Sequence, residues 1–506
     1  MSELARSYLA SCGGDSPRAA YLRLLSAYYA GTQYQHLPRA WHENTDRSGQ
    51  PIDFRQRRPS NVLPLPRQIV DTFCRALFGS GRRPKASIAD TPGSDDDTLL
   101  SDLIAEAKID STFADATRRA LATGSGIVVW KVLAGKVRCE AWDSAACETV
   151  FKPGEPDELE SVDYRYTYSR EVRDPQTGQR RPEEFWHRET ITASTWVVYA
   201  EVEAREGIEP QWALEQTVEH DMGFCPAVWV RIGEPAGAPC GQGDGTGVFA
   251  PYLDLIDDLN YISSQQGRAL FYALDPQVVL SGVAEGDVEL LKGGKNAWTL
   301  PKDAKAELLE SDHAYVGAAA ERMKELRKSI LDAAGLVELA PESVRGAHSG
   351  SALELLLSPQ IARVDELREQ VGGPLGRLLE QILAALGGPA LAPARVRVEV
   401  RDRRPKRAGR KPRSPAAPRV VLTWGSHTPR TASDALTAAD AATKATTAGA
   451  VSRESAARFL APYMGVEDVE ADQARVDADE KKQDRRTALF DARIRHADGL
   501  DIAVEE

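Results

Sequence analysis

The strongest chemical bias in the sequence is ArgAspArgArgProLysArgAlaGlyArgLysProArg at 401–413, with eight Lys or Arg in thirteen residues. Cations at that density neutralise phosphates and release counterions. Arg403, Arg404, Lys406, Arg407, Arg410 and Lys411 are therefore candidate contacts for DNA or an acidic partner. Pro405, Pro412 and Pro415 resist regular structure, so a mobile surface loop is the equal alternative. GlyGlnGlyAspGlyThrGly at 241–247 opens a helix, where a phosphate cradle would sit. It matches neither GxGxxG nor GxxxxGK[ST], and a flexible hinge into the helix is the expectation. GlyAlaHisSerGly at 346–350 has the outline of a nucleophile elbow, but His348 stands where the serine would be needed. The eight histidines give no HExxH and no paired ligand spacing. Cys12, Cys74, Cys139, Cys147, Cys225 and Cys240 contain no CxxC pair and read as buried free thiols of a reducing compartment. No catalytic residue, metal or cofactor is expected.

The elements that carry these residues centre on 248–350. A helix over 251–275 places Phe249, Leu253, Ile256, Leu259 and Ile262 at three- and four-residue steps, and at ~1.5 Å per residue spans about 34 Å. A second, over roughly 314–337, carries Tyr315, Met323, Leu326, Ile330 and Ala334 on one face. Between them, 276–312 reads as a small α/β insert with too little core to stand alone. Upstream, helices are expected at 18–30, from Arg67 to Gly79, and over 98–123. Six β-branched or aromatic runs then make an antiparallel β domain over about 124–232, with a hairpin tip at 174–179. Downstream, a long helix over 351–386 is expected to kink at Pro359 and at GlyGlyPro (372–374). Two strands follow within 395–424, flanking the basic run. An Ala-rich helix to Gly449, a restart capped by Ser452 and a charged helix over about 467–490 close the chain. The acidic clusters at 254–258 and 467–480 read as solvated helix faces.

With 506 residues and 42% hydrophobic content, two to four domains with real cores are expected. A net charge of −12 argues against coating nucleic acid, though not against letting DNA slide past. No secretory signal and no run of ~18 apolar residues is present, so a protein of the cytosol, or assembled from it, is expected.

The order of parts resembles the portal proteins of tailed bacteriophages over nearly the whole chain. The signatures are TyrTyrAlaGly (28–31), the extended stretch with Asn61, and a helix IleValAspThrPhe closing in LeuPheGly. ThrGlySerGly (123–126) introduces the β domain, and AspLeuIleAspAspLeuAsn (254–260) lies on the first long helix. SerGlySerAlaLeu (349–353), LeuThrTrpGly (422–425), Pro429 and AlaGlyAlaValSerArgGluSerAla (448–456) follow in portal order.

The resemblance implies an α+β portal fold, with a mainly helical wing, stem and crown, an antiparallel β domain in the wing and a small α/β clip. The wing would be 1–250 plus 351–425 with the basic insertion. The stem would be 251–275 and 313–338, the clip 276–312, the tunnel loop 339–350 and the crown with its tail 426–506. It further implies a self-assembled ring, usually of twelve subunits, at one capsid vertex of a virion built in the host cytoplasm. Double-stranded DNA would pass through the channel in packaging and ejection. The other partners would be the large terminase subunit, major capsid and scaffolding proteins, and a head–tail adaptor, with no membrane and no cofactor. Arg345, Gly346, His348 and Ser349 would face the channel. Lys292, Lys295 and Trp298 would sit on an exposed clip hairpin facing the motor, where Trp is a common interface anchor. Two other classes remain. One is a nucleic-acid-binding structural adaptor of the virion, supported by 401–413. The other is a hydrolase or nucleotide-dependent motor, which would require a P-loop or a convergent carboxylate or His set.

Overall fold

The computed structural model describes residues 3–12, 15–88, 95–133, 135–173, 179–205, 208–220, 222–237, 240, 243–274, 277–281, 305–309, 314–338, 354–386, 419–427, 432–464 and a few single positions between 469 and 482. The chain divides into two compact units, Met1–Glu338 with Pro359–Gly425, and Leu339–Ser358 with Ser426–Glu506.

The first unit opens with helices α1 (Glu3–Ser11) and α2 (Pro17–Ala30). Ser16 caps α2 by accepting from the Ala19 amide, and Gly31 ends it in the left-handed conformation at φ 77°. Two short parallel strands, β1 (Arg39–Ala40) and β2 (Arg57–Arg58), precede α3 (Leu65–Phe78). Ile69, Val70, Phe73 and Leu77 of α3 are fully buried, one apolar stripe of an amphipathic helix. The basic turn after it leads to a strand missed in the sequence, β3 (Lys85–Ile88). The helix expected over 98–123 is two, α4 (Asp95–Glu106) and α5 (Ile109–Thr123). They part at Lys108, whose φ of 54° is the sole positive value for a non-glycine among the described residues. Such a conformation costs on the order of 1 kcal/mol, offset here because Leu100, Ala107, Ile109 and Phe113 all reach one core.

The strand-rich block is antiparallel, and it divides into two sheets among the described residues. One holds β4 (Ser125–Leu133), β5 (Lys136–Trp142) and the later β12 (Ala227–Arg231), with β4 central. The other holds β6 (Cys147–Lys152), β7 (Glu155–Arg173), β8 (Arg180–Thr192), β9 (Thr195–Tyr199), β10 (Val202–Glu203) and β11 (Leu214–Glu219). Alternation along β4 decides the layering. Val128 and Trp130 face the helices, while Ile127 and Val129 face Leu159, Val162 and Ile191 of the larger sheet. Trp130 is fully buried and its Nε1 donates to Gln381 Oε1 at 3.1 Å, tying the sheet to a later helix. A buried ring of this size contributes about 2–3 kcal/mol. The β7–β8 register closes at Arg173↔Arg180, and the expected tip between them lies outside the described residues, save Gln179.

After β12, α6 (Leu253–Leu274) leads to β13 (Gln277–Ser281), which pairs antiparallel with β14 (Lys305–Leu309) before α7 (Ala314–Ala333) begins. Helix α8 (Ser358–Leu386) runs without interruption through Pro374, the site of the expected kink. Gly372 and Gly373 crowd nothing, and Val371, Pro374, Leu375 and Leu378 are buried together. That packing outweighs the lost helical hydrogen bond. Of the two strands expected within 395–424, only β15 (Val420–Thr423) falls on described residues. It pairs antiparallel with β3, from Val420↔Ile88 to Thr423↔Lys85.

The described part of the second unit is chiefly α9 (Ala432–Thr447) and α10 (Arg453–Met464), with Ala438, Ala442 and Ala461 buried. Ser452 Oγ accepts from the Ser455 amide at 3.1 Å, the expected cap. The charged helix expected over 467–490 falls largely outside the described residues. No helix among those described is long and apolar enough to cross a membrane.

Candidate functional site

The most heavily anchored feature of the first unit is the hairpin of α6 and α7. Its apolar faces meet through Leu253, Ile256 and Leu259 on one helix and Leu326, Ile330 and Ala334 on the other, with Ile262 and Met323 partly buried beside them. Tyr252 donates to the Ala333 carbonyl at 2.6 Å at the root, and Gln266 Nε2 to the Val316 carbonyl at 3.1 Å further along.

The adjoining face of α6 is polar yet buried, and the exposed side carries Asp254 and Asp258. Asp257, Asn260 and Ser264 are at most 3% exposed, at helical steps of three and four. Tyr28 donates to both oxygens of Asp257 at 2.8 Å, and Tyr34 to Oδ1 at 2.6 Å. Asn260 donates to the Tyr34 hydroxyl at 3.0 Å and accepts the Leu63 amide at 2.8 Å. Ser264 Oγ donates to the Asn260 carbonyl and accepts the Asn61 amide at 3.0 Å. Tyr261 reaches the Arg55 and Arg57 carbonyls, and Trp41 Nε1 donates to the Ser264 carbonyl. Burial, with Asp257 beside it, pushes the Tyr34 phenol far above its ordinary pKa; burial does the same for Tyr261. Both phenols therefore stay donors at any pH the protein meets. This network welds α6 to the segment between α2 and α3.

The sequence missed it. The stretch 254–258 read as a solvated acidic face, which holds for exposed Asp254 and Asp258 and fails for Asp257. The available signal was a second stripe, Asp257, Asn260, Tyr261 and Ser264, at i, i+3, i+4 and i+7.

A second node holds the entry to α6. Arg18 donates Nε and Nη2 to Asp244 at 2.6 and 2.8 Å, and Nη1 to the Cys147 carbonyl at 2.8 Å. Ser125 Oγ adds a bond to Asp244 Oδ1 at 2.9 Å. Burial opposes the Arg18 charge, but the bonds to Asp244 outweigh it and raise the pKa. Flanking Asp244, the described glycines Gly243, Gly245 and Gly247 form neither a cradle nor a flexible hinge. A Cβ on Gly243 would overlap the Phe151 ring, on Gly245 the Ile232 carbonyl, and on Gly247 the Ala122 carbonyl. Thr246 donates to Ile232 O and Val248 to Leu121 O, so the segment is packed backbone on backbone.

Of the cysteines, Cys74, Cys147, Cys225 and Cys240 are buried, whereas Cys12 and Cys139 are half-buried; all six are free. Burial pushes the Cys139 thiol up to about 12 and Cys240 to about 11, so neither forms an accessible thiolate. Among the described residues no group of three or more His, Cys, Asp or Glu could hold a metal ion. The residues expected to meet DNA, the motor or an acidic partner all lie outside the described residues: Arg345, Gly346, His348 and Ser349; Lys292, Lys295 and Trp298; and Arg403, Arg404, Lys406, Arg407, Arg410 and Lys411.

No curated protein matches the chain. One similar solved structure is the neck of an empty GTA particle computed with C6 symmetry, 13% identical over 79% of this chain and 90% of that one, at a TM-score of 0.39. The family model for phage portal proteins of the SPP1 Gp6-like kind matches residues 15–486. The chain therefore belongs to the SPP1 Gp6-like phage portal protein family, and its role is that of a portal component of a virion.

Proposed function

We propose that copies of this chain close into a ring at one capsid vertex, usually of twelve subunits, and that the α6–α7 hairpins form the wall of its DNA channel. The observation that carries this reading is the anchored hairpin itself. Its root is fixed by buried polar bonds on one face and apolar packing on the other, so axial load on DNA would meet a stiff strut. Its far end leads into β13 and β14, a two-stranded sheet too small to be stable without neighbours. Four of the exposed charges of α7 are compensated within the helix, Lys324 with Glu321 at 2.9 Å and Arg322 with Glu325 at 3.5 Å. With the net charge of −12, such a surface lets a polyanion slide without sticking. Electron micrographs of the purified chain are expected to show annular particles with an axial hole; a uniform population of single chains would sink the reading.

The same reading assigns the segments outside the described residues. Arg345, Gly346, His348 and Ser349 would touch DNA in the tunnel, and Lys292, Lys295 and Trp298 would face the terminase motor and later the head–tail adaptor. The run containing Arg403, Arg404, Lys406, Arg407, Arg410 and Lys411 would meet DNA or an acidic capsid or scaffold surface. Replacing Arg345 and His348 by Ala should leave rings intact and change packaging yield, while Lys292→Glu with Lys295→Glu should weaken capture of the motor. Unchanged packaging would reduce the loop to a connector, and undiminished capture would move the docking site elsewhere. An adaptor reading rests on the basic run alone. It requires DNA binding by single chains that falls steeply with salt and vanishes when 404–413 is deleted.

A further inference from the structure

The larger sheet has two open edges. On one flank β11 pairs only with β9 among the described residues, and all six of its residues are exposed, Leu214 at 66% and Val218 at 46%. On the other flank β6 covers β7 no further than Cys147↔Tyr164. From Arg165 to Arg173, β7 pairs with β8 on one side and with no strand on the other among the described residues. A row of unpaired N–H and C=O groups is a template for another strand, and proteins that leave one open normally guard it.

The guards here are of opposite sign. β11 carries Glu215 and Glu219 and no cation, whereas 165–173 carries Arg165, Arg170 and Arg173 against Glu171. Two copies of β11 would repel, and so would two copies of the β7 edge; an acidic edge against a basic one would attract. The arginines have partners within the chain, Arg165 with Glu148 and Arg170 with Glu201, but these are surface pairs, weak and readily exchanged. Apolar Leu214 and Val218 add area that a monomer has no use for.

We infer that the acidic β11 edge of one copy adds to the basic distal edge of β7 in the next, continuing the sheet from subunit to subunit. Both edges belong to every chain, so the contact is head-to-tail, the type that closes a ring when the rotation allows. The inference rests on the ring reading above.

The test is a charge exchange followed over a dilution series by single-particle mass measurement. Glu215→Arg with Glu219→Arg is expected to raise the concentration for half-assembly by about tenfold, from two lost cross-strand charge pairs. Arg170→Glu with Arg173→Glu should do the same. The chain carrying all four changes has its charges swapped, not removed, and should assemble near the wild-type midpoint. Two damaged edges would not heal one another, so recovery separates an interface from a folding defect. Single-edge variants that assemble like wild type overturn the edge contact and leave the ring reading standing, as does a four-fold variant that fails to recover. A wild-type chain that never forms rings overturns both.

Discussion

Asp257→Ala is expected to lower the stability of the first unit by about 3–5 kcal/mol, seen as a fall in the denaturant midpoint with little change in slope. The carboxylate accepts from Tyr28 and Tyr34 in a buried setting, and removing it strands two hydroxyls that water does not reach. Each orphaned buried donor costs about 1–3 kcal/mol, and each bond to a charged acceptor contributes about 1.5–3 kcal/mol, the two counts overlapping. Tyr34→Phe removes one donor and spares the carboxylate its second partner, so about 1–2 kcal/mol is expected. The Asp257→Ala, Tyr34→Phe double variant should lose clearly less than the sum, because both changes break the same bond. Additive losses would mean that Asp257 is held by something other than these phenols. Because Asp257 lies at the root of α6, Asp257→Ala should also shed rings at concentrations where the wild type is assembled.

Gly245→Ala is expected to be as damaging, about 3 kcal/mol or more, for a reason that has nothing to do with polarity. The added methyl would fall on the Ile232 carbonyl and close to the Gly124 carbonyl, both backbone atoms fixed by the β4–β12 ladder and the end of α5. A flexible side chain could swing aside; a sheet carbonyl that is already bonded to the Thr246 amide cannot do so cheaply. Gly237→Ala, a few residues upstream with nothing within 4 Å of the new methyl, is the control and should be near neutral. Soluble yield and the denaturant midpoint read both variants. A tolerant Gly245→Ala would mean that the segment moves as the hinge its composition suggests.

What the sequence determined by itself was local. The cap at Ser452, the stop at Gly31 and the three- and four-residue apolar steps of α6 and α7 depend on neighbours within a turn or two, so they were legible one element at a time, whereas the Ser16 cap was not read. So were the β-branched runs, because alternation along a strand needs no partner to be seen. Tertiary structure decided the rest, wherever a residue's environment is supplied by chain far away in sequence. Lys108 breaks a helix with no glycine or proline in sight, because Leu100 and Phe113 must reach one core. Pro374 fails to break one, because its neighbours are already packed. Asp257 and Asp258 are adjacent and chemically identical, yet only the first faces the tyrosines, 229 and 223 residues away in the chain. Asp244 is read the same way: its glycine-rich setting looks mobile until Arg18, 226 residues earlier, closes on it. Burial of polar groups and close approach of backbones are properties of pairs brought together by the fold, and no window along the sequence contains both members.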